Sequence, residues 1–326
     1  MPKITYEGKQ FDCEEDQTIL DCLARHGVTY PSSCQNGICQ TCLMHAVEGT
    51  VPVEAQKSLK ETLKLQNYFL ACTCKPTEDL VVSEPGADVT QRVVAQVVGK
   101  EPLNNDIMRV LLAPDDEFNF RSGQFIHLKR DDGLVRSYSI ASLPDSNTPI
   151  EIHVRRMKNG KMTTWLHDTL KVGDAVEIQG PVGECFYVPG NAEQNILLVG
   201  TGSGLGPLWG IVRDALKQGH TGRIHLLHGN YDINGLYLMD ELKQLASDYP
   251  NFFYTPCVDD HAPEGIEEGR IDTVVSRTYP DLKDWKVFIC GHANMVDNMK
   301  RKAFLAGASL QNIYADSFVD SSKEAA

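Results

Sequence analysis

The chain has 326 residues, more than one core of the commonest domain size holds, so it reads as two or three domains. Its composition, 42% apolar and 23% charged, is ordinary for a globular protein and excludes wholesale disorder. Lys plus Arg total 31 against 44 Asp plus Glu, and residues 1–88, 89–190 and 191–326 carry −6, −1 and −6, so no segment has the basic surface that nucleic acid or an anionic membrane requires. No apolar run approaches the ~20 residues of a membrane helix. The polar start MPKITYEGKQFDCEED has no signal-peptide core, and a cytoplasmic location is expected. Ten cysteines in a chain of this length point to metal or redox work rather than a disulfide framework, and seven of them lie in the first 74 residues.

Three textures follow one another. Residues 1–88 open with short strands, Lys3 to Tyr6 and Lys9 to Cys13, then a helix over TILDCLARHG with Thr18 at its start and Gly27 past its end. A Ser/Gly/Cys loop covers 31–42, and the strand LVVSE precedes a turn-rich linker at 84–90. Residues 89–190 hold six short strands (RVVAQVVG, IMRVLLA, GQFIHLKR, VRSYSIAS, IEIHVRRM, AVEIQG) and one helical stretch, MTTWLHDTL, a pattern for a small antiparallel barrel. Residues 191–326 alternate apolar strands (NILLVG, IHLLHG, FFYTPCV, KVFICG, NIYADSF) with helical stretches, the signature of a parallel sheet covered on both faces. The polar tail from Asp320 to Ala326 is expected to fray.

The strongest constellation is Cys34-x4-Cys39-x2-Cys42, followed after 29 residues by Cys72. Plant-type [2Fe–2S] ferredoxins use this ligand order. Such a cluster needs four thiolates, two per iron, and a loop of small residues whose N–H groups reach the sulfurs; Ser33, Asn36, Gly37 and Thr41 suit that loop. Zinc sites instead pair one C-x2-C with a second or with histidines. Cys74 competes with Cys72 for the fourth place, and the gap length favours Cys72. Cys13, Cys22, Cys185 and Cys257 have no motif partners and read as small buried apolar residues.

On the barrel, alternation along Arg136-Ser137-Tyr138-Ser139 sends Arg136 and Tyr138 to one face and the serines to the other. A flavin would use such a set, with Tyr138 stacking on the ring, Arg136 on the pyrophosphate and Ser139 at the ring edge. Gly160-Lys161-Met162-Thr163-Thr164 opens the barrel's helix, where free N–H groups favour a phosphate. In the last segment VGTGSGLGP links a strand to a helix. It misses G-x-G-x-x-G, because Leu205 stands where the third glycine belongs, and it lacks a P-loop lysine. Backbone there is expected to come close to a ligand such as a pyrophosphate, at the carboxyl end of a strand. Cys290-Gly291 ends another strand at the same sheet edge.

Together these motifs resemble, over nearly the whole chain, the three-domain NADH-dependent iron–sulfur flavoprotein reductases of bacterial oxygenases, the benzoate dioxygenase, phenol hydroxylase and soluble methane monooxygenase type within the ferredoxin–NADP reductase superfamily. The resemblance implies a multi-domain α+β and α/β chain: a β-grasp [2Fe–2S] ferredoxin (1–88), an antiparallel β-barrel FAD domain (89–190) and a parallel-sheet α/β NAD domain (191–326). Carried over by position, Cys34, Cys39, Cys42 and Cys72 match the cluster ligands, and Arg136, Tyr138 and Ser139 match the flavin motif R-x-Y-S. Val154 and Arg155 match the strand along the flavin; Gly160, Met162 and Thr163 match its pyrophosphate turn. The run Gly202, Ser203, Gly204, Leu205, Gly206, Pro207 resembles the nucleotide loop G-T-G-I-A-P, and Cys290-Gly291 with Met295 resembles C-G-x-x-x-M beside the nicotinamide. Three departures stand out: His292-Ala293 replaces prolines, Asp316 with Phe318 stands where a glutamate and an aromatic are common, and Asn230 stands where relatives carry Arg.

The implied chemistry is hydride transfer from NADH to FAD N5, then single electrons to the cluster and on to a protein acceptor, an oxygenase hydroxylase component or its ferredoxin. In that scheme Ser139 bonds near N5, Cys290 positions the nicotinamide and Asp316 tunes the flavin. The carboxylates of Asp259-Asp260, at the end of the third strand of the last segment, would repel a 2′-phosphate, so NADH is the expected coenzyme. The same chemistry could serve a deoxysugar dehydratase; a non-catalytic iron–sulfur sensor is the reading from another class, and the barrel and glycine loop speak against it. A monomer is expected, and a positively charged partner surface would suit the acidic run Glu14-Glu15-Asp16.

Overall fold

Residues 1–86, 91–145 and 148–318 are described by a computed structural model. The expected linker therefore falls partly (87–90), and the expected tail wholly, outside the described residues. The chain divides into two compact units, Met1–Thr90 and Gln91–Ala326.

In the first unit, β1 (Lys3–Tyr6) pairs antiparallel with β2 (Lys9–Asp12). Helix α1 (Ile19–Arg25) is capped by Thr18, whose hydroxyl accepts from the Asp21 N–H, and ends at Gly27, whose φ of +77° suits glycine. Its apolar stripe Ile19, Leu20, Cys22 and Leu23 is buried against the sheet. Strands β3 (Leu43–Glu48), β4 (Tyr68–Leu70) and β5 (Leu80–Ser83) complete a mixed five-stranded sheet of order β2-β1-β5-β3-β4, with the short helix α2 (Glu61–Leu65) leading into β4.

The second unit holds two sheets. Strands β6 (Gln91–Pro102), β7 (Ile107–Pro114), β8 (Phe125–Lys129), β9 (Val135–Ser139), β10 (Ile150–Arg155) and β11 (Ala175–Val182) run antiparallel in the order β10-β7-β6-β11-β8-β9. A bridge from Ile140 to Ile152 brings the two ends of that sheet together into a nearly closed barrel. Alternation along β10 puts Ile150, Ile152 and Val154 in the barrel core and leaves Glu151, His153 and Arg155 on the outer face. The expected barrel helix begins as α3 (Lys161–Thr164), but its second half, Trp165–Thr169, is a π turn.

The other sheet is parallel throughout, order β15-β14-β13-β12-β16-β17. Its elements are β12 (Ile196–Thr201), α4 (Leu205–Lys217), β13 (Ile224–Asn230), α5 (Met239–Asp248), β14 (Phe252–Val258), β15 (Glu267–Glu268), α6 (Ile271–Thr278), β16 (Lys286–His292), α7 (Ala293–Leu305) and β17 (Ile313–Phe318). Ile196 and Leu198 share a core with α4 and α5, while Leu197 and Val199 share one with α6 and α7. Helices thus cover both faces, as parallel strands require. The two-residue β15, unexpected because its glutamates carry no strand pattern, sets Glu267 and Glu268 beside Cys257 and Val258. The strand order reverses between β12 and β16, the place where sheets of this kind bind ligands beyond their carboxyl ends.

Candidate functional site

The cluster loop leaves the end of the α1 segment and closes on β3. Gly37, at φ +72°, makes the sharp turn, and the Ser58 hydroxyl ties down its carbonyl. The Cys34 sulfur accepts N–H groups from Asn36 (3.5 Å) and Cys39 (3.3 Å), and the Cys39 sulfur accepts the Cys34 N–H (3.5 Å). Cys42 and Cys72 form a second, more buried pair whose thiols influence one another. Among the described residues no three such side chains close on one point as around a single ion. Two pairs of thiols, the first with N–H groups on its sulfurs, match the two thiolates per iron of a two-iron cluster.

Hydrogen bonding from Thr41 and then Cys34 draws the Cys39 thiol down to about 6, whereas burial pushes Cys72 up to about 11. Iron coordination overrides the upward pull because a bound thiol loses its proton. Cys74 lies in the core facing Cys13, fully buried, and burial raises its thiol to about 12. Cys13 and Cys22 are likewise buried in that core, as their lack of motif partners suggests. In the acidic run, Glu14 pairs with Arg25 and Asp16 lies 3.5 Å from Lys75, so two of its three charges are engaged within the unit.

In the second unit the barrel and the parallel sheet meet at the switch point. The Ser139 hydroxyl, at the end of β9, donates to Asp316 Oδ2 at 2.6 Å. Asp316 stands opposite Cys290 in the β16–β17 pair, and Gly291 and Phe318 lie on the same two strand ends. Burial raises the carboxyl of Asp316 and the thiol of Cys290 above their ordinary values. The sulfur of Cys290 lies 3.7 Å from that of Cys185, and both are buried. Cys185 follows the last barrel strand in a segment with no motif, so no sequence signal could have placed it here.

After β12, Gly202 takes φ +55° and a Cβ on Gly204 would stand 2.2 Å from the Cys290 carbonyl oxygen. Glycine there is what lets the loop lie against the end of β16. Ser203 sits between them, and Pro207 falls in the first turn of α4, where a missing N–H costs nothing. Arg155, from the outer face of β10, brings a guanidinium nitrogen within 3.5 Å of where a Gly202 Cβ would be. Among the described residues Arg155 has no acid partner, and Arg136 bonds only the neighbouring Val135 carbonyl. Two unpaired guanidinium groups suit a pyrophosphate.

Tyr138 packs on the barrel core, and burial raises its phenol. The side chain of Val154 points into that core and its carbonyl accepts from His167 at 2.9 Å. Met162 is also buried in the barrel. Thr163 bonds the Gly160 carbonyl and the Met157 N–H, both at 3.1 Å, and so shapes the turn itself. His292, standing where relatives have proline, caps α7 by accepting the Asn294 N–H. Asn230 accepts the Tyr231 N–H, and the Asp259 N–H reaches the Asn230 and Tyr231 carbonyls, which holds Asp259 beside the carboxyl end of β13.

The fold and these two centres define an electron carrier in which a thiolate-cluster unit accompanies a flavin barrel and a dinucleotide sheet. Residues 3–77 match the 2Fe-2S iron-sulfur cluster binding domain, 95–187 the oxidoreductase FAD-binding domain and 198–301 the oxidoreductase NAD-binding domain. The chain is 31% identical to the phenol hydroxylase P5 protein of Acinetobacter pittii, over 98% of this chain and 94% of that one. It is also 31% identical to the reductase component of the naphthalene 1,2-dioxygenase system of Pseudomonas putida, over 92% and 93%. The crystal structure of the Amycolatopsis cytochrome P450 reductase GcoB superposes with a TM-score of 0.69 at 30% identity, covering 98% and 99%. This chain belongs to the family of iron–sulfur flavoprotein reductase components of multicomponent oxygenases. It is an oxidoreductase that uses NADH, FAD and a [2Fe–2S] cluster to pass electrons to a protein acceptor.

Proposed function

We propose that this protein feeds electrons from NADH to the terminal component of a mono- or dioxygenase, or to that component's ferredoxin. Its relatives named above serve phenol hydroxylase and naphthalene 1,2-dioxygenase systems. In this reading Cys34, Cys39, Cys42 and Cys72 hold the cluster, Arg136, Tyr138 and Ser139 with Arg155 and the turn Gly160, Met162, Thr163 hold FAD, and Gly202, Ser203, Gly204, Pro207, Gly291 and Phe318 hold the dinucleotide. The domains divide at 1–88, 89–190 and 191–326. A cytoplasmic monomer fits; among the described residues no helix is long and apolar enough to cross a membrane.

The observation that carries the reading is the 2.6 Å bond from Ser139 to Asp316, because it brings the flavin strand of the barrel to the Cys290 end of the parallel sheet. When bound, the flavin and the cluster turn a two-electron hydride into single electrons. Ser139 would present its oxygen at the flavin edge, with its proton directed to Asp316. Tyr138 covers the ring, Arg136 and Arg155 neutralise phosphate charge, and Cys290 with Gly204 shapes the surface on which the nicotinamide rests. No proton need leave a side chain for the hydride to move. Asp259, with Asp260 and the glutamates of β15 nearby in the fold, disfavours a 2′-phosphate, so NADH outcompetes NADPH; equal kcat/KM for the two would reverse that assignment.

The test is anaerobic spectroscopy of the purified protein. Flavin bands together with broad iron–sulfur absorption should bleach on adding NADH, and candidate oxygenase components should then reoxidise the protein. A protein without iron, or one that NADH leaves coloured, would end the proposal.

A further inference from the structure

Behind the flavin edge, the outer face of β10 carries a buried polar chain that hydride chemistry does not itself require. His153 is 1% exposed at its side chain. Its Nε2 lies 2.8 Å from Glu151 Oε1 and its Nδ1 lies 3.1 Å from the Tyr237 hydroxyl. Glu151 also accepts from Arg109 Nε at 3.0 Å, and Arg213 of α4 lies 3.9 Å away while donating to the Ala141 carbonyl at 2.7 Å.

A carboxylate cannot donate, so His153 donates from Nε2 and presents Nδ1 as an acceptor. Tyr237 must then donate to His153. One directional chain thus runs from Tyr237 through His153 to Glu151, and the His153 ring in its middle lies against Gly206 of the loop.

Shape reinforces the chain. A Cβ on Gly206 would stand 3.1 Å from His153 Nδ1, and one on Gly210 would stand 2.8 Å from the Ala141 carbonyl. Gly206, Gly210 and Arg213 share one face of α4, the face laid against the barrel. A side chain at 206 would crowd the His153 ring, which lies directly against that glycine.

We propose that His153 and Tyr237 are positioning residues for hydride transfer: through Gly206 they fix the nucleotide loop against the flavin barrel. This rests on the reading that Gly202 to Pro207 holds the dinucleotide. Neither residue touches the reacting atoms. Their contribution is the placement of the nicotinamide, where small errors in distance slow transfer steeply while binding survives.

The test uses the holoprotein and anaerobic stopped-flow with NADH. Tyr237→Phe and His153→Ala should each lower the limiting rate of flavin reduction about 10-fold or more, with little change in the apparent Kd for NADH. The isotope effect with NADH deuterated at the transferred position should rise, and photoreduced flavin should still pass electrons to the cluster at the wild-type rate. The double variant should be no slower than the slower single one. Wild-type limiting rates in both variants, a loss confined to Kd, or additive losses would overturn the proposal. Ser203→Asp, which sets a carboxylate in the loop, separates the two layers of the argument. If it leaves NADH binding intact, the loop reading fails and this inference with it; if it abolishes binding while Tyr237→Phe reduces normally, only the inference fails.

Discussion

Three of the thiols in the first unit lie within nine residues of chain, and the sulfurs of two of them, Cys34 and Cys39, accept N–H groups from the same loop. In the second unit, the hydroxyl and carboxyl that meet at 2.6 Å come from positions 139 and 316, and the thiols that meet at 3.7 Å come from 185 and 290. The first centre is a property of a segment, and its geometry follows from short-range turns such as that at Gly37. The second exists only because a barrel end and the carboxyl edge of a parallel sheet are pressed together. Damage to the first should remove a cofactor and leave the second working; damage to the second should slow one step and leave the cluster coloured.

The largest effect expected from that contrast is at position 72. Cys72→Ser should abolish the iron–sulfur absorption and transfer to the protein acceptor, while NADH still reduces the flavin; Cys74→Ser should leave both spectra intact, since its thiol faces Cys13 within the core. A cluster retained without Cys72 would break the comparison at its root. Next, Ser139→Ala and Asp316→Asn should each slow flavin reduction by about 10- to 100-fold, with unaltered iron content, measured by stopped-flow and metal analysis. Unchanged rates would mean that the 2.6 Å bond serves only to join the two sheets. A smaller change is expected on replacing Asp259 and Asp260 together with serine: kcat/KM for NADPH should rise about 10-fold, equivalent to removing one modest charge repulsion.

The smallest effect separates the units by acid. His225 and His228 are buried in the parallel sheet, and burial lowers them to about 4 and about 3. A histidine whose folded value is depressed contributes stability that is present above its unfolded value near 6.5 and lost as pH falls below it. At pH 5.5 each should cost the second unit about 1 kcal/mol, seen as flavin release at a lower temperature than at pH 7.5. His228→Leu should remove about 1 kcal/mol of that pH dependence, and an unchanged pH profile in this variant would refute the assignment.

The same contrast explains what could be read before folding. The cluster ligands, the strands of the barrel and the alternation of the parallel sheet are carried by spacing and periodicity, so they are visible in the chain. Tyr138 and Ser139 are visible because the strand they occupy is polar where a core strand would not be. Cys185, His153, Glu151 and Tyr237 have no such signature, because their roles depend on what a distant element places against them. The π turn at Trp165–Thr169 and the short strand at Glu267–Glu268 are equally silent: one continues a helical pattern, the other is two glutamates aligned only by Cys257 and Val258.

The glycine-lined face of α4 also bears on how such reductases are recombined. With no side chain at 206 or 210, the helix lies on Ala141 and His153 with no slack, so the dinucleotide half is no interchangeable cartridge. A chimera that borrows this sheet for another flavin barrel has to bring the outer face of β10 along, or supply a neighbour small enough to let the helix settle.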